Sequence, residues 1–210
     1  MKKHISVWER FIFHSGFNPN TLKKLRPKID HDNLLSMRIF TPLAIMFFAG
    51  MTVFSYFYDH LTRFMPIYLF ALMGCIMSGL LLQRGKHDRR AMVISITLMI
   101  LVMLVFATLI GTVFDPQSSA TVYVALLFSL PILFCLPPFN IFLMILTADA
   151  IFVPLSLMYK TGDILHNDMI NVLVFSILSL ILAVIINMHR IRRFVLEYEL
   201  HLSRERELER

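Results

Sequence analysis

Apolar runs and short polar breaks alternate along most of the chain. The runs cover residues 39–58, 64–82, 91–114, 120–136, 139–158 and 169–188. A bilayer core about 30 Å thick takes roughly 20 helical residues. Backbone amides in lipid find partners only inside such a segment, which makes these runs helices and not strands. The pattern predicts an all-α integral membrane protein, a six-transmembrane-helix bundle. Asp59, His60 and Arg63 close the first pair of runs, and the polar stretch 83–90 separates the second from the third. A turn over 115–119 contains Pro116, and Lys160 to Asp163 open the last loop. Pro137 and Pro138 split one long apolar run into the fourth and fifth helices, because two prolines remove donors and force extended backbone ahead of them.

The charges at the breaks orient the bundle. Eight Lys and Arg lie in the segment through Arg38, four in 83–90 and six after Met188, whereas the alternate loops hold only Arg63 and Lys160. Positive charge stays on the cytoplasmic side, so both termini are expected there, with the last helix continuing into a cytoplasmic coiled-coil-like helix. Tyr56, Tyr58, Tyr68, Tyr123 and Tyr159 fall at predicted outer ends, where amphipathic rings favour the interface. Composition agrees with the pattern. The chain is 57% hydrophobic and 16% charged, against about 45–50% and about 25% for soluble domains. Its net charge of +6 follows from the cytoplasmic basic residues and calls for no nucleic acid. The partner implied at this stage is the lipid bilayer.

Three regions follow: a cytoplasmic interfacial segment over 1–34, a six-helix domain over 35–188, and a cytoplasmic connector helix over 189–210. In the first, Ile5, Trp8, Phe11 and Ile12 recur at helical spacing among charges, as in a helix lying on the inner leaflet. Asn20 and Thr21 are expected to cap a second short helix, and Asp32 and Asn33 to cap the first span. The outer loops are about ten residues or fewer, far below the ~50 residues of a small domain. A stimulus from outside therefore enters through the bundle or the membrane.

No catalytic motif is present: there is no Gly-rich phosphate loop, HExxH, CxxC or G-x-S-x-G. No cofactor or metal site is expected, and Asp30, His31 and Asp32 read as a solvated cap. Cys75 and Cys135 sit in apolar runs as packing residues. Asp149 stands apart, about ten residues from either end of the fifth run, where charge is costly. Pro154 cannot donate and so frees a carbonyl near Ala150, on the same turn as Asp149. Together with Thr147 and Asn171, these residues form a candidate intramembrane polar site for a small or lipophilic ligand, a cation or a proton. The competing expectation is a neutral acid bonded to a Ser, Thr or Asn of a neighbouring helix. In the sixth run, Ser176, Ser179, Ala183 and Asn187 share one helical face of small or polar residues, which suits close packing in membranes. Gly74 and Ser78 make a shorter pair of the same kind.

Beyond Met188 the helical pattern continues. Met188, Ile191, Val195, Tyr198 and Leu202 step by three and four, the seam of a coiled coil. Opposite charges three apart, such as Arg204 and Glu207, support a helix in water. The segment has no partner of its own in this reading, so a homodimer through residues 188–210 is expected. The seam fades after Leu202, as in a helix that hands over to something downstream.

A basic amphipathic start, six spans with tiny outer loops and the stretch LSRERELER together resemble the membrane input region of bacterial GGDEF-type diguanylate cyclases. HSGFNPNTLKKLRPKIDHDNLLSMRIF, residues 14–40, is similar to the segment before the first span in some of them. The resemblance implies a sensory module in a bacterial inner membrane that regulates a C-terminal cyclase through a dimeric exit helix. GTP and Mg2+ would be held by that output domain. The GGDEF motif and the D-x-L-T-x-L-x-N-R stretch are absent from these 210 residues, so no catalytic residue carries over. A small transporter or channel with a midplane site at Asp149 is the alternative.

Overall fold

The computed structural model describes residues 19–85 and 88–208. The amphipathic segment around Ile5, Trp8, Phe11 and Ile12 lies outside them. The described residues are helical with no strand: α1 (Pro19–Phe57), a single turn α2 (Asp59–Thr62), α3 (Met65–Gly85), α4 (Arg89–Leu109), α5 (Thr121–Leu133), α6 (Pro138–Tyr159) and α7 (Gly162–Leu208). Among the described residues, five helices are long and apolar enough to cross a membrane, namely α1, α3, α4 with its extension to Phe114, α6 and α7. Many large side chains on them point outward, Met46, Phe47, Phe57, Leu157 and Met158 among them, each more than half exposed. In water such a surface would aggregate; a bilayer solvates it.

The fourth apolar run forms a helix of only 13 residues, α5, about 20 Å long. The chain then runs non-helically over 134–137 to the prolines, and Pro138 starts α6 at a position where its missing N–H costs nothing. α4 is the most enclosed helix, with Ile96, Met99, Ile100, Leu104 and Ala107 all nearly inaccessible. It packs against α1 and α3 on one side and α5 and α6 on the other, while α7 lies against α5, α6 and α1. Asp88 caps α4 by accepting from the Arg90 N–H at 2.8 Å. A π-helical turn (Ile110–Phe114) ends that helix, closed by the Asp115 N–H on the Ile110 carbonyl at 3.0 Å.

Between α3 and α4 the expected small-residue pair acts directly. A Cβ on Gly74 would come within 2.5 Å of the Val102 side chain. One turn on, Ser78 and Ser95 donate to each other's carbonyls at 2.9 and 2.8 Å. Two hydroxyls thus bond across the interface because no bulk holds the backbones apart.

Three expectations change. Asn33 is no helix cap: α1 is unbroken from Pro19 to Phe57, with Pro27 and Pro42 inside it, and the boundary after residue 34 falls mid-helix. α7 itself runs unbroken through residue 188 to Leu208. Tyr68 and Tyr123 are not interfacial anchors but core residues, 7% and 0% exposed: Tyr68 packs in a tilted pair with Phe106, and Tyr123 stacks on Phe152. Tyr56, Tyr58 and Tyr159 are exposed.

Candidate functional site

Three polar clusters bind α7 to the rest of the bundle at successive levels. The first is at the end opposite the basic residues. Gly162 adopts φ 61°, a left-handed conformation that suits glycine, and reverses the chain between α6 and α7. That reversal brings Lys160 back onto Asp168, and the pair is buried, with side chains 0% and 1% exposed. Lys160 Nζ also donates to the Ser118 carbonyl at 2.8 Å. Asp168 Oδ1 accepts from Ser119 Oγ and from the Ala120 N–H, both at 3.0 Å. Two loops and the start of α5 are thereby tied to the first turns of α7. A buried ion pair survives only with such added hydrogen bonds.

The second cluster surrounds Asp149. Tyr123 on α5 donates to Asp149 Oδ1 at 2.6 Å, and Ser176 on α7 donates to Oδ2 at 2.8 Å. The Tyr123 ring stacks on Phe152 with centroids 4.5 Å apart. Both carboxylate oxygens thus have hydroxyl donors from two neighbouring helices. Thr147 does not join them: it is exposed and donates to the Leu143 carbonyl of its own helix. Pro154 is exposed on the outer side of α6 and Asn171 is half-buried on α7. The four residues expected to form one pocket are therefore dispersed, and Asp149 has Tyr123 and Ser176 in their place.

The third cluster lies at the basic end, around the non-helical 134–137 segment. Asn33 grips the Cys135 peptide with both ends of its amide: Nδ2 donates to the carbonyl at 3.1 Å, and Oδ1 accepts from the N–H at 2.7 Å. Asn187 Nδ2 donates to the Leu136 carbonyl at 2.5 Å, and Arg190 donates to the Ile132 carbonyl. The Ile132 carbonyl at the end of α5 and the Leu136 carbonyl beyond it thus find donors on α7. Higher on the same face, Ser179 Oγ donates to the Leu127 carbonyl at 2.5 Å and Ala183 is 0% exposed. Ser176, Ser179, Ala183 and Asn187 all face the bundle interior or its partly buried edge.

The tail has a partner inside its own chain. Ile191 and Phe194, each 4% exposed, pack with Leu25 of α1 and Cys135. Val195 packs on the edge of this cluster, and Lys28 forms an ion pair with Glu197. Lys28 Nζ also sits 5.3 Å from the centroid of the Phe194 ring. Lys28, first, and Arg193 hold the Glu197 carboxyl below its ordinary range. Tyr198 is exposed, and the Leu202 side chain lies outside the described ones. The first half of the expected seam is therefore occupied by α1.

Lys160, Asp168, Tyr123, Asn33 and Arg190 were not picked out as site residues by sequence reasoning. Each acts through a partner on another element, and only the polarity of Asp168 at the edge of an apolar run offered a signal. No group of three or more His, Cys, Asp or Glu is arranged to hold a metal among the described residues. Comparison with protein-family models, curated proteins and solved structures found no match.

Proposed function

We propose that this chain is the membrane input module of a bacterial signalling receptor and that it transmits through α7. The observation that carries this reading is the continuity of α7, 47 residues without a break, roughly 70 Å at 1.5 Å per residue. Asp168, Ser176, Ser179, Asn187, Arg190 and Glu197 couple that rod to other elements along most of its length. A shift in α5 or the 134–137 segment changes the partners of α7 at several levels and is felt at its charged end. Two alternative packings of such a rod form a two-state equilibrium that a stimulus biases.

In this reading the chain crosses the inner membrane six times with both termini in the cytoplasm. The fourth crossing combines α5 with the extended 134–137 segment. Non-helical backbone is tolerated at that depth because Phe134, Cys135 and Leu136 are buried in protein, with the Cys135 N–H and carbonyl taken by Asn33 and the Leu136 carbonyl by Asn187. The output is a homodimeric exit helix that sets the spacing of two downstream domains. By the resemblance noted above, those domains are diguanylate cyclases, which would hold GTP and Mg2+ themselves. Because α1 occupies Ile191, the intermolecular seam starts at the edge of Val195 and runs through Tyr198 and Leu202. A transporter with its site at Asp149 has less support, since hydroxyls of Tyr123 and Ser176 already bond both carboxylate oxygens.

Single cysteines at 191, 195, 198 and 202, oxidised in native membranes on a Cys75→Ala, Cys135→Ala background, test the dimer. Crosslinking at 198 and 202 with none at 191 is the expected pattern, and a flat profile sinks the exit-helix reading. Joining residues 1–210 to a cyclase domain whose activity requires pairing tests the output. Inserting one to seven residues after Leu200 is expected to make cyclase activity rise and fall with the helical repeat.

A further inference from the structure

At the basic end, a cavity of about 550 Å³ opens between α1, α4, the 134–137 segment, α6 and α7. Among the described residues no helix fills the space beside Asn33, where the non-helical 134–137 segment passes. Its charged wall residues are Lys23, Arg26 and Arg89 against the single acid Asp30. That acid is already paired with Arg89, Nε to Oδ2 2.9 Å. The surplus is cationic and open to an incoming anion. Deeper in, the wall is apolar, including Met92, Ile96 and Ile191.

Asn187 also lines the cavity, and it is 1% exposed. Its Nδ2 is committed to the Leu136 carbonyl, while its Oδ1 has no partner among the described residues. A buried acceptor left open in this way asks for a donor. Cations at the mouth, an apolar wall and an open acceptor together describe an amphipathic occupant. It carries an anionic group, and a hydroxyl or N–H that reaches Asn187. The volume lies in the ordinary range of small-molecule sites, about 300–1,000 Å³.

We propose that this cavity binds a phosphate diester or monoester bearing a free hydroxyl. The phosphate sits against Lys23 and Arg26, and the hydroxyl donates to Asn187 Oδ1. The source is either the headgroup of an anionic glycerophospholipid from the adjoining leaflet or a soluble phosphorylated molecule of the same chemistry. The site goes beyond the signalling reading and does not depend on it, since binding is measured without any output.

The experiment uses the full chain in phosphatidylcholine nanodiscs, with phosphatidylglycerol added in one arm and soluble glycerol 3-phosphate in the other. Retention is read by native mass spectrometry and thermal protection of the wild-type chain by calorimetry. Phosphatidylglycerol is expected to protect and remain bound where phosphatidylcholine alone does not. Protection by glycerol 3-phosphate instead assigns the soluble source. Lys23→Gln with Arg26→Gln is expected to weaken retention about tenfold, the equivalent of roughly 1.4 kcal/mol. Lys24→Gln with Arg192→Gln, which removes equal charge outside the cavity, leaves retention unchanged. Equal losses in both double variants would reduce the effect to general surface attraction and overturn the proposal. Protection by neither probe would overturn it as well and leave a hydrated cavity; that result requires no variant to fold.

Discussion

Asp168 and Lys160 illustrate how much a single buried charge depends on its partner. Asp168→Asn leaves an ammonium with no counterion in a site without solvent access, and breaking a buried pair in this way costs about 3–5 kcal/mol. The expected outcome is a large fall in the thermal midpoint in detergent. Lys160→Met with Asp168→Leu should recover part of that loss, because no isolated charge remains buried. Tyr123→Phe deletes one hydroxyl from Asp149 while keeping the stack on Phe152, and about 1 kcal/mol is expected to be lost. Asp149→Asn keeps the size and an acceptor for one of the two hydroxyls, so stability should fall by no more than that. If Asp149→Asn leaves both stability and signalling output unaltered, Asp149 has no functional part. Neither pair was legible in the sequence as a pair. Lys160 and Asp168 are separated by the left-handed Gly162, and Tyr123 and Asp149 sit on different helices. Only the improbability of a carboxylate at mid-run marked Asp149 at all.

At the scale of elements, close approach governs the α3–α4 pair and backbone repair governs the α5–α6 break. Gly74→Leu must push a side chain into Val102, which a Cβ alone would already meet at 2.5 Å. Such overpacking costs about 1–3 kcal/mol, and the reciprocal Ser78–Ser95 bonds should lengthen with it; a melting curve beside that of Gly50→Leu, where a Cβ would meet nothing within 4 Å, separates packing from helix propensity. Asn33→Leu removes both bonds to the Cys135 peptide and leaves its N–H and carbonyl buried without that partner. Hydrogen exchange over 132–137 is expected to accelerate in this variant while α3 and α4 keep their protection. The helix breaks at Pro116, Pro137 and Pro138 were readable because proline acts on its own backbone. The shortening of α5 to 13 residues was not, since residues 134–136 are apolar and nothing local forbids them from helix. Asn33, Asn187 and Arg190 make the extended form tolerable, and all three are remote in sequence.

For the whole molecule, the contact of α1 with the tail of α7 ties the first turns of the described chain to its charged last helix. Glu197 is held below its ordinary range by Lys28. A carboxyl depressed on folding contributes stability that is fully present above its unfolded pKa, about 4.3. That contribution is lost as pH falls through the lower folded value. Spin labels at Lys24 and Leu200 are therefore expected to report a constant distance from neutrality down to about pH 5, and a broadened one on stronger acidification. High salt should weaken the same contact, because the pair is exposed to solvent.

The apolar runs by themselves determine that this is a helical protein of the membrane. Each run must satisfy its backbone internally, and its outward side chains need no partner but lipid. The positions of the turns follow as locally, from proline, glycine and charge. Tertiary structure alone decided which polar residue meets which. It set Tyr123 and Ser176 on Asp149, closed Lys160 over Asp168, and turned Asn33 from an expected cap into the clamp on an interrupted helix. It also gave residues 191–197 a partner in α1, where a heptad read along one strand of sequence could only point to a second copy. The physical reason is the same in each case: hydrophobic periodicity specifies a face and a depth, whereas a hydrogen bond between helices depends on rotation and register that only packing sets.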